Sequence, residues 1–169
     1  MNILFLNSIR PTVWGGGEKW MVETAFGLNR RGHRCIVAGR VRSIWLEQAR
    51  TRGLETYPLS IRSDIDPVIV ARLYRLMRSR RIDLVCPNFD KDLRLGGIAA
   101  RLAGVPAVVV RKGLPLMKDA IRFRLSYRYL ADAIITPSAD IKARFAGYPW
   151  LPPVVVIHNG VDLERYHHD

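Results

Sequence analysis

The sequence contains few cysteines and no long apolar run. Its two cysteines, Cys35 and Cys86, lie far apart inside apolar segments, and neither belongs to a CxxC pair. This spacing gives no support to a metal site or a redox centre and favours two buried, reduced thiols in a cytoplasmic protein. A run of about 18 apolar residues, which a membrane-spanning helix requires, is absent. The opening MNILFLNSIRP lacks a basic start and a cleavage site, so it predicts a first strand and no signal peptide.

Acidic residues are scarce beside basic ones. The chain has 27 Lys and Arg against 15 Asp and Glu, a formal net charge of +12. This excess favours an acidic partner: nucleic acid, an anionic membrane surface or a phosphorylated substrate. Arginine greatly outnumbers lysine, and its planar guanidinium suits forked contacts to phosphate or carboxylate. A basic surface that serves solubility alone is the alternative interpretation.

Short apolar runs alternate with stretches of helical spacing along the 169 residues, a length that fits one domain. Several runs, such as AVVV and PVVVI, are apolar throughout, which is typical of strands covered on both faces. The pattern predicts a doubly wound, Rossmann-like α/β fold with a mostly parallel sheet of about seven strands and helices on both faces. The predicted strands are residues 2–6, 34–38, 55–59, 84–86, 107–110, 133–136 and 154–157.

Three helices can be predicted with their ends. The first begins near Glu18 and ends at Gly32, because glycine commonly follows the last helical turn. The second covers residues 67–80, with proline at its first position. The third covers residues 92–103, with Asp92 as its expected cap.

The loop after the first strand contains three consecutive glycines, Gly15, Gly16 and Gly17, directly before a helix. Glycines allow close approach to a ligand, and free amides in the first helical turn attract anions, so a phosphate or a sugar is expected here. A flexible turn without a ligand is the alternative. The loop is neither a dinucleotide fingerprint, because Trp20 occupies the third glycine position, nor a Walker loop.

Polar side chains follow the fourth strand. Asn88, Asp90 and Lys91 are expected at the edge of the sheet where ligands bind, and Phe89 either stacks on a sugar or packs. For Asp92, helix capping is favoured over chemistry.

Cations follow the fifth strand. Arg111 and Lys112 emerge from a buried run and are placed to contact an anionic substrate group; an ion pair with Asp90 is the alternative. After the sixth strand, Ser138 is expected to cap a helix, and a ligand contact is its second interpretation. Residues 116–130 alternate apolar and basic side chains, as in a packed amphipathic helix or one that lies on an anionic membrane.

The end of the chain, VVVIHNGVDLERY, resembles the end of the amino-terminal domain in the retaining glycosyltransferases of family four. There a strand precedes an Asn-Gly-Val-Asp turn and an aromatic residue. The matching residues are Asn159, Gly160, Val161, Asp162 and Tyr166. The glycine-rich loop and the segment ADAIITPSADIKARF also match in order, so the resemblance covers essentially the whole chain.

The resemblance implies a GT-B architecture, in which two Rossmann-like domains face each other across a cleft. Residues 1–169 would be the amino-terminal, acceptor-side domain, and the nucleotide-sugar domain with its pair of glutamates would lie beyond this chain. Family members retain anomeric configuration and need no metal or other cofactor. The predicted substrate-binding residues are Gly15, Gly16, Gly17, Glu18, Asn88, Lys91, Arg111, Lys112, Ser138 and Asn159. No catalytic residue can be assigned, and Asp90 is a candidate base by position alone.

One departure from the family pattern is informative. Many relatives carry a histidine after the fifth strand, where this chain has Arg111, Lys112 and Gly113. The cations indicate an acceptor that bears phosphate or carboxylate, as in bacterial lipopolysaccharide, other envelope glycans or lipid-linked acceptors. The expected partners are therefore a nucleotide sugar, such an acceptor and the inner face of the cytoplasmic membrane, with no nucleic acid.

Three other functions stay open on the sequence alone. A non-catalytic module for nucleic acid or other anionic polymers fits the charge, although no nucleic-acid-binding motif is present. An NADP-dependent dehydrogenase would place Arg40 and Arg42 beside a ribose phosphate, against a broken glycine fingerprint. A scaffold or anchoring domain is the third alternative.

Overall fold

A computed structural model describes residues 1–114 and 118–160. Within these ranges seven strands alternate with six helices. In chain order they are β1 (Asn2–Asn7), α1 (Gly16–Arg30), β2 (Arg34–Arg40), α2 (Ile44–Thr51), β3 (Glu55–Leu59), α3 (Pro67–Arg80), β4 (Leu84–Pro87), α4 (Asp90–Ala103), β5 (Ala107–Arg111), α5 (Ile121–Leu130), β6 (Ala133–Thr136), α6 (Ala139–Phe145) and β7 (Val154–Val156).

The strands form one sheet in the order β3-β2-β1-β4-β5-β6-β7, and every neighbouring pair is parallel. Phe5 at the centre is in register with Val37 on one side and Cys86 on the other. The direction of winding reverses between β1 and β4, which opens a crevice at the carboxyl ends of these two strands. The prediction of a doubly wound parallel α/β fold is confirmed.

Hydrophobic clusters cover both faces of the sheet. Along β1, Leu4 and Leu6 pack with side chains of α3, α4 and α5, whereas Ile3 and Phe5 pack with side chains of α1 and α2. This alternation follows from the two-residue period of a strand, and burial on both faces explains why the strands are apolar throughout.

Both cysteines belong to this buried interior, as predicted. Cys35 and Cys86 are unbonded and buried. Burial raises the pKa of Cys35 to about 11 and that of Cys86 to about 12, so both thiols are protonated at neutral pH.

The helix bounds agree with the sequence except at two starts. Helix α3 has its predicted bounds, but α1 begins at Gly16 and α4 begins at Asp90, so the predicted starts at Glu18 and Asp92 are wrong. Asp92 still caps α4, from inside the first turn: its Oδ2 accepts a hydrogen bond from the amide of Phe89 at 3.0 Å. A capping side chain reaches backward as well as forward, which a simple pattern does not distinguish.

Helix α5 occupies most of the predicted amphipathic segment. Its exposed surface carries Ile121, Leu125 and Tyr129. Residues 115–117 and 161–169 lie outside the described residues, and with them Val161, Asp162 and Tyr166 of the terminal motif. None of the helices within 1–114 and 118–160 combines the length and hydrophobicity needed to cross a bilayer.

Substitution of Gly39 should destabilise the fold. A β-carbon at Gly39 would lie 2.5 Å from Cδ1 of the buried Trp45 and 2.7 Å from the carbonyl oxygen of Asn7. We expect Gly39→Ala to lower the free energy of unfolding by about 1–3 kcal/mol, measured by urea denaturation. Gly27→Ala is the control, because Gly27 lies within α1 and its β-carbon would meet nothing within 4 Å; it should stabilise the chain by about 0.5–1 kcal/mol. A Gly39→Ala variant as stable as the parent would show that the Trp45 ring does not require a glycine beneath it.

Candidate functional site

The crevice at the switch point contains a buried carboxylate. Asn7 ends β1, Asn88 follows β4, and Glu18 projects between them from the first turn of α1. Glu18 Oε1 accepts hydrogen bonds from Asn7 Nδ2 at 3.0 Å and from Asn88 Nδ2 at 3.4 Å. All three side chains are buried. Glu18 therefore joins the ends of the two central strands to the helix that follows the glycine loop.

The same carboxylate holds the glycine loop in place. Glu18 Oε2 accepts a hydrogen bond from the amide of Gly15 at 3.1 Å. At the start of the loop, Asn7 Oδ1 accepts from the amide of Ile9 at 2.8 Å. The loop after β1 is thus anchored at both ends, and the amino-terminal end of α1, where a helix dipole favours anions, is fixed at the edge of the crevice.

Arg111 enters the crevice from the end of β5. It is buried, and its Nη1 lies 3.5 Å from Asn88 Oδ1 as a long hydrogen bond. Its guanidinium carbon lies 5.2 Å from the centre of the Trp20 indole ring. Burial lowers the pKa of Arg111 and the nearby Glu18 carboxylate opposes that shift, so Glu18 acts as the counter-charge.

Two glycines make room for this guanidinium. A β-carbon at Gly17 would lie 2.8 Å from Arg111 Nη1, and one at Gly113 would lie 2.7 Å from the same atom. The glycine loop and Arg111 therefore share one crevice. Gly16 faces open space, since a β-carbon there would meet nothing within 4 Å.

Lys112 forms the ion pair that the sequence offered as its alternative. Its Nζ lies 2.7 Å from Asp90 Oδ1, and Lys112 is buried. The same oxygen accepts a hydrogen bond from the Tyr127 hydroxyl at 2.7 Å. Burial, with Asp90 beside it, raises the pKa of Tyr127 far above its ordinary value, so the hydroxyl stays a donor. The charge of Lys112 is therefore balanced by Asp90.

A second concavity, which we call the basic pocket, lies beside the crevice. It has a volume of about 440 Å³. Its lining residues are Asp64, Phe89, Asp90, Lys91, Arg94, Lys118, Arg122 and Phe123. The two concavities are neighbours because Asn88 lies in the crevice and Phe89, the next residue, lines the pocket. Of the predicted residues, Lys91 and Asp90 belong to this pocket.

The two remaining predicted residues are Asn159 and Ser138. Asn159 lines a narrow cavity together with Arg111 and Trp20. Ser138 caps α6, since its Oγ accepts a hydrogen bond from the amide of Ile141 at 3.3 Å, which confirms the capping prediction. The structure therefore brings most predicted residues together at one edge of the sheet and divides them between two concavities.

Several residues of these sites are not evident from the sequence. Asn7 carries a usable signal, because it is a polar residue directly after an apolar strand. Helical spacing predicts only a packed position for Trp20, and no pattern marks Arg94. Thr136 lines the narrow cavity, and its buried Oγ1 hydrogen-bonds no residue in the described part of the chain. Trp20, Arg94 and Thr136 belong to these sites only through contacts between segments that are far apart in the sequence.

Comparison with known proteins gives a family match over most of the chain. A family model described as Glycosyltransferase Family 4 matches residues 14–165. No curated protein sequence matches the chain.

Solved structures share the fold over nearly the whole chain. The Anabaena protein Alr3699/HepE, in complex with UDP and glucose, has 20% identity and a TM-score of 0.76, covering 97% of this chain and 46% of that protein. A glycosyltransferase from Rickettsia africae has 16% identity and a TM-score of 0.77, covering 96% and 44%. The lipopolysaccharide outer core galactosyltransferase WaaB, in its apo form, has 12% identity and a TM-score of 0.70, covering 96% and 46%. The chain thus spans less than half the length of each.

The buried carboxylate gives a stability prediction. In Glu18→Gln, the NH2 group of the new side chain would face another hydrogen-bond donor, either the Gly15 amide or the side-chain amides of Asn7 and Asn88. Arg111 would also lose its counter-charge. We expect the free energy of unfolding to fall by about 2–4 kcal/mol in urea denaturation. The matched control on the same helix is Glu23→Gln, because Glu23 is 40% exposed and pairs with Arg52; its loss should stay below about 1 kcal/mol. An equal decrease in the free energy of unfolding in the two variants would show that the buried contacts of Glu18 contribute no more than an exposed ion pair.

Proposed function

The chain belongs to glycosyltransferase family 4, and from that premise we propose that it is the acceptor-side half of a retaining enzyme. This enzyme transfers a hexosyl group from a nucleoside diphosphate sugar to an anionic envelope glycan or a lipid-linked acceptor. The observation that supports the proposal most directly is the crevice at the β1–β4 switch point, where Gly15, Gly17 and Arg111 converge.

A second α/β domain is part of this proposal. The chain matches 44% of the Rickettsia glycosyltransferase and 46% of HepE, so about half of each relative has no counterpart in it. We assign residues 1–169 to the acceptor side and the nucleotide sugar mainly to the absent half. The UDP and glucose bound to HepE are the basis for proposing a nucleoside diphosphate sugar as donor.

Two groups of the crevice would face a departing diphosphate. The anchored loop presents the amino-terminal end of α1, and Arg111 adds a buried cation. In a sugar transfer the bond from the anomeric carbon to the diphosphate breaks, and negative charge grows on the departing oxygen. Fixed amides and cations stabilise that charge without having to reorient. The proposed role of this half is to orient the acceptor and to support the leaving group.

We propose Asp90 as the base, and the different use of its two oxygens supports this role. Oδ1 is committed to Lys112 and Tyr127, whereas Oδ2 has no hydrogen bond to any residue within 1–114 and 118–160. Asp90 also lines the basic pocket. A hydroxyl of an acceptor held there could pass its proton to Oδ2. Direct transfer of the proton to the departing phosphate is the alternative, and it needs no protein base.

Binding to a membrane surface is the further part of the proposal. Helix α5 exposes Ile121, Leu125 and Tyr129 beside the cations Arg122 and Arg128. Apolar side chains among basic ones suit the surface of an anionic bilayer. We therefore place the enzyme in the cytoplasm, peripheral on the inner face of the cytoplasmic membrane, where a lipid-linked acceptor would be available.

Family membership favours the enzyme over the other hypotheses drawn from the sequence. The dehydrogenase hypothesis needs Arg40 at a ribose phosphate, but Arg40 Nε donates to the carbonyl oxygen of Ser8 at 2.8 Å. No observation specifically favours a nucleic-acid module or a scaffold.

The division into halves predicts that residues 1–169 alone catalyse no transfer. Release of UDP from UDP-sugars should stay at the background rate with this chain and should rise with a longer protein that includes the second domain. Turnover by the isolated chain would contradict the two-domain proposal.

In the longer protein, Arg111→Gln should lower kcat/KM by about 100-fold, the usual effect of removing a group that stabilises developing charge. Arg78→Gln, on the exposed surface of α3, is the control and should keep the parent rate. Circular dichroism and the melting temperature must show that both variants are folded at the assay temperature. Unchanged acceptor affinity and turnover in a folded Arg111→Gln variant would remove Arg111 from the mechanism.

A further inference from the structure

The basic pocket carries more positive than negative charge. Four cations line it, on α4, on α5 and in the segment before α5, and two carboxylates face them. One carboxylate, Asp90, is already paired with Lys112. The other, Asp64, is shared by Lys91 at 3.4 Å and Arg94. Within the described part of the chain, Lys118 and Arg122 have no carboxylate partner. The pocket therefore has an unbalanced positive charge.

Arg94 is the buried member of this set. Its side chain is only 9% exposed, and its Nη2 pairs with Asp64. Its Nη1 is also buried and donates to no residue in the described ranges. The guanidinium carbon lies 5.7 Å from the centre of the Phe123 ring, which supports it from one side. A buried charged donor without an acceptor is costly, so an oxygen supplied by a ligand would complete its hydrogen bonding.

Asp64 keeps its negative charge in the pocket. Burial by itself would raise the pKa of Asp64, but Arg94 and then Lys91 outweigh that effect and hold the pKa below its ordinary value. Asp64 is thus an ionised carboxylate at neutral pH, and it orients Arg94 and Lys91 at the edge of the pocket.

Aromatic side chains form the walls. Phe89 is 37% exposed and lines the pocket at the start of α4. The Arg122 guanidinium carbon lies 4.9 Å from the centre of the Phe123 ring, which positions this exposed cation at the start of α5. A flat, partly exposed ring next to cations suits a ligand that has both a sugar face and a charged group.

We propose that the basic pocket binds a phosphate group carried by the acceptor, with Arg94, Arg122 and Lys91 as its donors and Phe89 against the sugar. This assignment rests on the proposed function, and it places the acceptor's charge apart from Arg111. Phosphate fits better than carboxylate, because a phosphate ester has up to three free oxygens for donors that approach from different helices. The volume of about 440 Å³ is sufficient for a sugar phosphate.

The test is a titration of this chain with inorganic phosphate in an isothermal calorimeter. Arg122→Gln should weaken phosphate binding about threefold to tenfold, as expected for one partly exposed charge. Arg144→Gln is the control: Arg144 is also an exposed arginine, but it lies on α6 and does not line the pocket. It should leave binding unchanged. Arg94→Gln should weaken binding more than tenfold, with its fold verified by circular dichroism.

Two results would overturn the proposal. One is an equal weakening by Arg122→Gln and Arg144→Gln, which would report only the general positive charge of the protein surface. The other is the absence of saturable phosphate binding to the parent chain. Because Arg122 is exposed and supports no core, its variant decides the question even if Arg94→Gln does not fold.

Competition against bound inorganic phosphate distinguishes two sources of the phosphate group, a water-soluble acceptor and a lipid-linked one. Glucose 1-phosphate stands for a water-soluble acceptor, and monomeric dihexanoyl phosphatidic acid stands for a lipid-linked one. Whichever displaces inorganic phosphate more strongly identifies the source, and displacement by either supports the pocket. The titration involves no sugar transfer, so phosphate binding by a chain whose longer form transfers no sugar would refute only the proposed function.

Discussion

The carboxylate of Glu18 is held out of water at the point where the two central strands of the sheet end. Burying a charge in this way is costly unless it is paired and hydrogen-bonded. Glu18 meets both conditions, with donors from Asn7, Asn88 and the amide of Gly15 and with Arg111 as counter-charge. The ends of β1, β4 and β5 and the glycine loop are thereby fixed relative to one another. The geometry of the crevice depends on this single group.

Glycines near the crevice serve mainly to allow close approach. Gly17 and Gly113 leave space for the Arg111 guanidinium, and Gly39 leaves space for the Trp45 ring. Because side chains at these positions would collide with their neighbours, the guanidinium can lie between the loop and the strand end and contact the Trp20 ring. A cation placed this deeply keeps its position when a ligand enters, which is the condition for stabilising charge without reorganisation.

The cations at this edge of the sheet fall into two groups. Arg111 and Lys112 are buried beside carboxylates, Glu18 and Asp90 respectively. The cations of the basic pocket exceed the carboxylates available to them, and Arg94 retains a buried nitrogen without a partner in the described residues. Net attraction for an anion is therefore stronger in the pocket than at the strand end where the sequence alone indicated it. In the proposed enzyme, the crevice serves the transferred sugar and its leaving group, and the pocket serves the acceptor.

The amino-acid sequence by itself determined the class of fold and the edge of the sheet where the candidate site lies. Runs such as AVVV are apolar throughout because a strand covered on both faces needs apolar side chains on each of them. Polar residues after such strands meet at the carboxyl edge of a parallel sheet. Asn88 was predicted in this way, whereas Glu18 was predicted from the family resemblance. Partners were decided only by the tertiary structure: Lys112 with Asp90, Arg111 with Trp20, and Arg94 with Asp64, 30 residues apart. Hydrophobic periodicity is a local property of the chain, whereas charge pairing depends on distances between segments that only the packed fold brings together.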